Sequence, residues 1–275
     1  MQKSILITGC SSGIGLDAAR TLKARGWQVF ASCRQQADCD RLIGEGLKAP
    51  RIDYCDPDSI GTGLGEVLAA TGGRLDALFN NGAHGLNAAV EDLPVEALRD
   101  IFESNFFGWH DLTRQVIPIM RSQGAGHIVQ CSSTLGLSYL GWRGAYTATK
   151  HALEGLSDVM RIELAPAGIH VVLIEPGPIT TRFRKNGIPY FERFIDWKSS
   201  PRRADYETGL IPRMYQDGGP DRFELPPSAV THALIRALEA TRPKPRYYVT
   251  LPTWFAGTLR RVLSTRAMDA VISRL

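Results

Sequence analysis

The stretch Thr8-Gly9-Cys10-Ser11-Ser12-Gly13-Ile14-Gly15 constrains the fold of this chain more than any other. Ser4 to Ile7 before it is a short apolar run that reads as a buried strand. Leu16, Ala19 and Leu22 after it are apolar at helical spacing, up to Gly26. A strand, a glycine-rich turn and a helix make the first half of a dinucleotide-binding unit. The glycines permit a tight turn and a close approach of the backbone to a pyrophosphate, which then rests on the helix N-terminus. The spacing is G-x-x-x-G-x-G and not G-x-G-x-x-G. Taken alone, the stretch also fits an ordinary strand-to-helix loop.

Alternation continues downstream. Strands are expected at Val29 to Ser32, Arg51 to Tyr54, Leu75 to Phe79, His127 to Cys131, Ile169 to Ile174 and Arg246 to Thr250. Helices are expected from Gln35 to Gly46, from Asp56-Pro57 to Gly72-Gly73, over Pro94 to Ser122 with a break at Pro118, over Gly144 to Ala165, and over Pro226 to Ala240. Asp56 suits an N-cap and Pro57 a first helical position. The pattern predicts one α/β domain over 1–275, a doubly wound parallel β-sheet of about seven strands with helices on both faces.

The second strand ends in Cys33-Arg34 with no carboxylate at the strand end. A carboxylate there would suit a ribose 2′-hydroxyl, whereas the Arg34 guanidinium suits a 2′-phosphate. NADP is therefore favoured, with NAD as the second possibility. A solvated arginine at a loop start is the plainer reading.

Tyr146 and Lys150 lie four residues apart, on one face of the expected helix. A phenol is a weak acid with a pKa of about 10, and a nearby ammonium lowers that value toward working pH. By itself the pair is equally a solvated helix face. Ser132-Ser133 lies just past a strand end, where open α/β sheets bind ligands. Asn105 sits inside an expected helix, where asparagine is a poor helix former.

Composition excludes several classes. The net charge is only +4, and basic residues come in isolated pairs such as Arg202-Arg203, so no nucleic-acid surface is expected. The five cysteines, Cys10, Cys33, Cys39, Cys55 and Cys131, form no Cys-x-x-Cys pair. Free thiols in a reducing cytosol fit better than disulfides or a metal site. No leader peptide is expected, and no apolar run reaches the roughly 20 residues that span a bilayer. A cytoplasmic protein without a metal is expected.

Two regions stand apart. Over 183–224 Phe183, Tyr190, Phe191, Phe194, Trp197, Tyr206, Tyr215 and Phe223 crowd together among prolines and glycines. This is either a lid over an apolar pocket or a satellite hydrophobic cluster. Over 252–275 Trp254, Phe255, Leu259, Val262 and Leu263, then Met268, Val271, Ile272 and Leu275, recur at helical spacing beside Arg260 and Arg261. Packing on the domain is the better reading, and weak contact with a membrane surface the other.

In order and in context, these motifs resemble the short-chain dehydrogenase/reductase family, closest to its hydroxysteroid and retinol dehydrogenase branch. The matching positions run from Thr8 to Thr181, and the resemblance implies a Rossmann fold. It also implies that Gly9, Ser11, Ser12, Gly13, Ile14 and Gly15 line the pyrophosphate turn. Asp53 would hold the adenine, and Asn81, Gly82 and Ala83 would lie beside the ribose. Pro176, Gly177, Ile179 and Thr181 would hold the nicotinamide amide, with Tyr146 and Lys150 on its ribose. Asn105, Ser133, Tyr146 and Lys150 would be the catalytic four. Ser133, thirteen residues before Tyr146, matches the family's spacing better than Ser132. Asn80-Asn81-Gly82-Ala83 departs from the family's more frequent Asn-Asn-Ala-Gly.

The expected activity is NADP-dependent interconversion of a carbonyl and an alcohol on a bulky apolar substrate, in a homodimer or homotetramer. Reduction of acyl, quinone or small polar ketone substrates is the alternative. Cofactor binding without chemistry is a third reading.

Overall fold

A computed structural model of the chain describes residues 2–215 and 222–274. Residues 216–221 of the expected lid, and Leu275 of the C-terminal extension, lie outside the described residues.

Six parallel strands form one sheet in the order β2-β1-β3-β4-β5-β6. They are β1 (Ser4–Ile7), β2 (Gln28–Ala31), β3 (Ala77–Asn80), β4 (Gly126–Cys131), β5 (Ile169–Glu175) and β6 (Arg246–Tyr248). Their side chains are almost all buried, as expected of strands covered on both faces. The helix Gly13–Ala24 packs against Ser228–Glu239, and Pro57–Thr71 packs against Gly108–Gln123, while Gly144–Leu164 lies on β5. Asp56 caps its helix by accepting from the Ser59 N–H at 3.2 Å, with Pro57 at the first position.

The sheet has six strands and not seven, because Arg51 to Tyr54 makes no ladder. That segment meets the β2 side through the bridge between Cys33 and Arg51, one backbone bond from Ile52 N to Cys33 O at 3.0 Å and a side-chain bond from Arg51 Nε to Arg34 O at 3.1 Å. Tyr54 turns inward instead, and its hydroxyl is bonded between β1 and β3.

The long helical stretch breaks at Asn105 and not at Pro118. Glu103–Phe107 is a single π-helical turn between helices Val95–Phe102 and Gly108–Gln123. Pro118 continues within the second of these. It is exposed, so the N–H it lacks falls on a solvent face, where the freed carbonyl of the preceding turn meets water.

Candidate active site

The chain leaves β1 toward β2 on one side and later enters β3 on the other. The carboxyl ends of β1 and β3 therefore border a crevice at the topological switch point. Gly9 follows β1 and Asn81 follows β3, and the two loops are bonded together. Thr8 Oγ1 accepts from the N–H groups of Asn81 and Gly82 at 2.9 and 3.1 Å. Asn81 Nδ2 donates to Thr8 O at 3.0 Å. The Tyr54 hydroxyl lies 2.7 Å from both Thr8 Oγ1 and Asn80 Oδ1. Gly9 has φ +69°, and a Cβ there would come within 2.5 Å of Gly82 Cα. Only glycine meets both demands. The exchanged order Gly82-Ala83 keeps its glycine at this close approach.

The turn after β5 reaches the same place. A Cβ on Gly13 would lie 3.0 Å from Thr181 Cγ2. Between them an open cleft is lined by Ser12, Gly13, Thr180 and Thr181. Ser12 caps the helix Gly13–Ala24 without a side-chain bond to it, which leaves the first helical N–H groups to face the cleft. A bare helix N-terminus with a backbone stripped of side chains fits a pyrophosphate. Ser11 O accepts from Arg41 at 2.8 Å, and Ile14 and Ile179 pack on the main core. Pro176 O accepts from Thr134 N at 2.9 Å. Gly177 is tightly enclosed by Thr134, Thr250 and Thr253.

At the far end of the crevice stands Arg34, with Asp53 close enough for its charge to be felt. Arg34 donates to the Tyr190 hydroxyl at 2.5 Å.

Ser133, Tyr146 and Lys150 converge past the end of β4. The Ser133 side chain bonds the Tyr146 phenol and also accepts from Leu135 N at 3.1 Å. Ser132 turns the other way, toward Glu154. Lys150 is buried, donates to Cys131 O at 2.8 Å, and lies 4.2 Å from the centroid of the Trp109 ring. Burial holds the ammonium pKa down at about 8. Burial also pushes the Tyr146 phenol well above its usual range, with Cys131 adding to the rise and the Ser133 bond opposing it. The expected lowering of the phenol by Lys150 is not what the geometry gives here, since Lys150 is engaged with Cys131 and Trp109 and is 5.6 Å from the phenol ring centroid. Asn105 is buried on the π turn. Its amide is bonded to the main chain of His84, accepting from N at 3.1 Å and donating to O at 2.8 Å.

The family model for short chain dehydrogenases matches residues 3–189. The chain is 40% identical over 272 residues to the uncharacterized oxidoreductase YbbO of Escherichia coli K12, covering 99% of this chain and 94% of that protein. It is 30% identical over 280 residues to human retinol dehydrogenase 8, covering 97% and 87%. A short-chain dehydrogenase from Streptomyces avermitilis superposes with a TM-score of 0.79 at 30% identity, covering 100% and 97%. The chain belongs to the short-chain dehydrogenase/reductase family.

This oxidoreductase carries features that its motifs do not announce. Trp109 joins two halves of the site, donating from Nε1 to Gly82 O at 2.7 Å while its face meets Lys150. Its position four residues after Asn105, on the same helical side, was the available signal. Thr8, which opens the glycine motif, and Tyr54 tie that turn to β3, and Tyr54 had no signal beyond its place beside an expected strand end.

The aromatic region forms a second hydrophobic cluster around Phe191, Tyr206, Leu210 and Met214, and Tyr146 packs against it. Its packing is that of a satellite hydrophobic cluster. Phe183 meets the Tyr146 ring edge-on at 5.2 Å between centroids. The C-terminal helix Leu251–Val262 faces inward with Thr253, Ala256 and Gly257, and its large apolar side chains face solvent. That reverses the expected packing of Trp254, Phe255 and Val262, because the small residues fit the close approach to Gly177 and Tyr248. Among the described residues no helix is long and apolar enough to cross a membrane, and all five cysteines are free.

Proposed function

We propose that this dehydrogenase interconverts a carbonyl and an alcohol on a bulky apolar substrate, steroid-, retinoid- or lipid-like, with NADP as its preferred dinucleotide. The observation that carries the reading is the convergence of Ser133, Tyr146 and Lys150 beside an aromatic cluster, at the carboxyl edge of the sheet. The dinucleotide supplies or accepts the hydride. Gly9, Gly13 and Gly15 admit its pyrophosphate, Asp53 and Arg34 its adenosine end, and Asn81, Gly177 and Thr181 its nicotinamide end. In the reducing direction Tyr146 gives a proton to the carbonyl oxygen, and Ser133 donates a hydrogen bond to that oxygen and stabilises its developing charge. A phenol held neutral by burial suits the donor role. Lys150 holds the ribose and returns the proton to Tyr146. Asn105 acts by fixing His84 and the backbone around it.

Titration with NADPH against NADH tests the cofactor. A panel of steroids, retinoids, acyl thioesters, quinones and small ketones tests the substrate. Turnover confined to small polar ketones would overturn the apolar reading, and cofactor binding without turnover on any substrate would overturn the enzymatic one.

The protein is further read as a cytoplasmic homodimer or homotetramer. Phe107, Val159 and Ile162, exposed on and beside the helix Gly144–Leu164, supply the paired face. The second exposed apolar stripe, on the helix Leu251–Val262, is read as a weak contact with an anionic bilayer.

A further inference from the structure

The helix Phe183–Phe194 lies lengthwise along the crevice and touches both of its ends. At one end Phe183 covers the Tyr146 ring, 5.2 Å between centroids. In the middle the helix rests on the loop after β3, where a Cβ on Gly187 would come within 2.7 Å of Gly85 O. At the other end Tyr190 stacks on His84, with centroids 3.6 Å apart and ring planes within 6°. The Tyr190 hydroxyl accepts from Arg34 at 2.5 Å. His84 is itself held, since Asn105 clamps its main chain and Ser104 Oγ lies 3.0 Å from its Nδ1. One helix thus spans from the proposed acid to the proposed cofactor-selecting arginine. That is the span the proposed function assigns to a dinucleotide, nicotinamide at Tyr146 and adenosine at Arg34.

We propose that this helix and the dinucleotide compete for the crevice, and that the Arg34–Tyr190 bond is the latch of the occluded state. Tyr190 gives Arg34 a neutral oxygen where a 2′-phosphate would give it an anionic one. Every dinucleotide must break the latch to enter. NADP(H) then offers the freed guanidinium a charge-assisted partner, and NAD(H) offers none. The latch therefore weakens both dinucleotides, and only NADP(H) regains a partner for Arg34. Tyr190, which is remote from the reacting atoms, thus sets the absolute affinity for either cofactor, while Arg34 sets the choice between them. Apparent affinity falls with the fraction of molecules in the open state, so loosening the latch tightens both cofactors by one common factor.

The proposal rests on the reading of Arg34 as the 2′-phosphate partner, and the experiment separates the two. Dissociation constants for NADPH and NADH are measured for wild type, Arg34→Ala, Tyr190→Phe and the double variant. Hydrogen exchange is followed over residues 183–194 without added cofactor. Tyr190→Phe keeps the ring on His84 and removes only the hydroxyl. It is expected to tighten both cofactors about three- to tenfold, the scale of one net hydrogen bond at an exposed position, and to speed exchange along the helix. Arg34→Ala is expected to weaken NADPH yet tighten NADH, with no further gain from Tyr190→Phe on that background. Loss of NADPH affinity in Arg34→Ala, with NADH and exchange unmoved in both single variants, overturns the latch and leaves the Arg34 reading standing. NADPH affinity indifferent to Arg34→Ala on the Tyr190→Phe background, where the latch is already gone, overturns the reading and the proposal together.

Discussion

Lys150 donates its ammonium proton to the carbonyl oxygen of Cys131 at 2.8 Å, inside a site where its side chain is only 1% exposed. Burial, more than any charge, sets its pKa at about 8 against an ordinary 10.5. The unfolded chain keeps this proton to about pH 10.4, and the folded chain releases it near pH 8. Over that window the unfolded state binds more protons, so stability rises with pH. Relative to Lys150→Met, which does not titrate, wild type is expected to gain up to about 3 kcal/mol across the window. Urea denaturation at a series of pH values reads this directly. A constant gap between the two proteins would refute the buried, weakened ammonium.

Tyr146→Phe keeps the ring against Phe183 and removes the phenolic proton. Turnover in the reducing direction is expected to fall by about 10²- to 10⁴-fold, with the circular dichroism spectrum unchanged. The bond from Ser133 leaves with the hydroxyl, so Ser133→Ala added to Tyr146→Phe is expected to cost much less than it does alone. Turnover near wild type in Tyr146→Phe would remove Tyr146 from the mechanism.

The parts of the site legible in the sequence were those that backbone geometry dictates. Gly9 could be read because a turn of φ +69°, pressed on Gly82, admits no other residue. Ser133 and Tyr146 could be read because strand ends and helical spacing place them together. What resisted reading was the consequence of burial. The weakened Lys150 and the neutral phenol come first from burial, with Cys131 adding to the rise of the phenol, and burial is a product of folding and not of spacing. The segment Arg51 to Tyr54 alternates like a strand, yet Tyr54 is used as an inward hydrogen-bonding strut. A period-two pattern cannot tell those uses apart. Pro118 misled for the opposite reason, since a proline on a solvent-facing helix side need not end the helix.

Arg246 is ringed by three carboxylates: Glu154 at 3.0 Å, Asp158 at 2.9 Å and Glu175 at 3.1 Å. Glu154 and Glu175 are buried, whereas Asp158 is partly exposed and also paired with Arg161, and one guanidinium does not balance both buried carboxylates, so a proton is retained. Burial first, and then the charge of Glu154, push Glu175 up to about 9 from 4.5. Between those values the folded chain holds the extra proton, and stability falls as pH rises. Glu175→Gln keeps the shape and removes the titration. The variant is expected to gain steadily on wild type in thermal or urea melts from about pH 5 to about pH 9. Parallel stability curves would show that Glu175 is not the proton holder.

On the helix Leu251–Val262 the exposed face carries Leu251, Trp254, Phe255 and Val262, at 57%, 56%, 65% and 70% exposure. The opposite face is the small set Thr253, Ala256 and Gly257, buried toward the domain. The helix ends in Arg260 and Arg261, and Arg266 follows in the next one. Apolar rings on one side and cations at the edge suit an interface between water and anionic headgroups. Thr253 meets Thr134 beside the turn after β5, so a bilayer on this face would hold apolar substrate close to the site. Binding to vesicles of mixed phosphatidylcholine and phosphatidylglycerol is expected, and weaker binding to phosphatidylcholine alone. Trp254→Ala with Phe255→Ala removes two large apolar groups and is expected to lower the partition coefficient by about tenfold or more. Arg260→Glu with Arg261→Glu is expected to abolish the preference for anionic vesicles while leaving turnover of a soluble substrate intact. Co-sedimentation reads both, and equal recovery with and without vesicles for wild type would remove the membrane from the account.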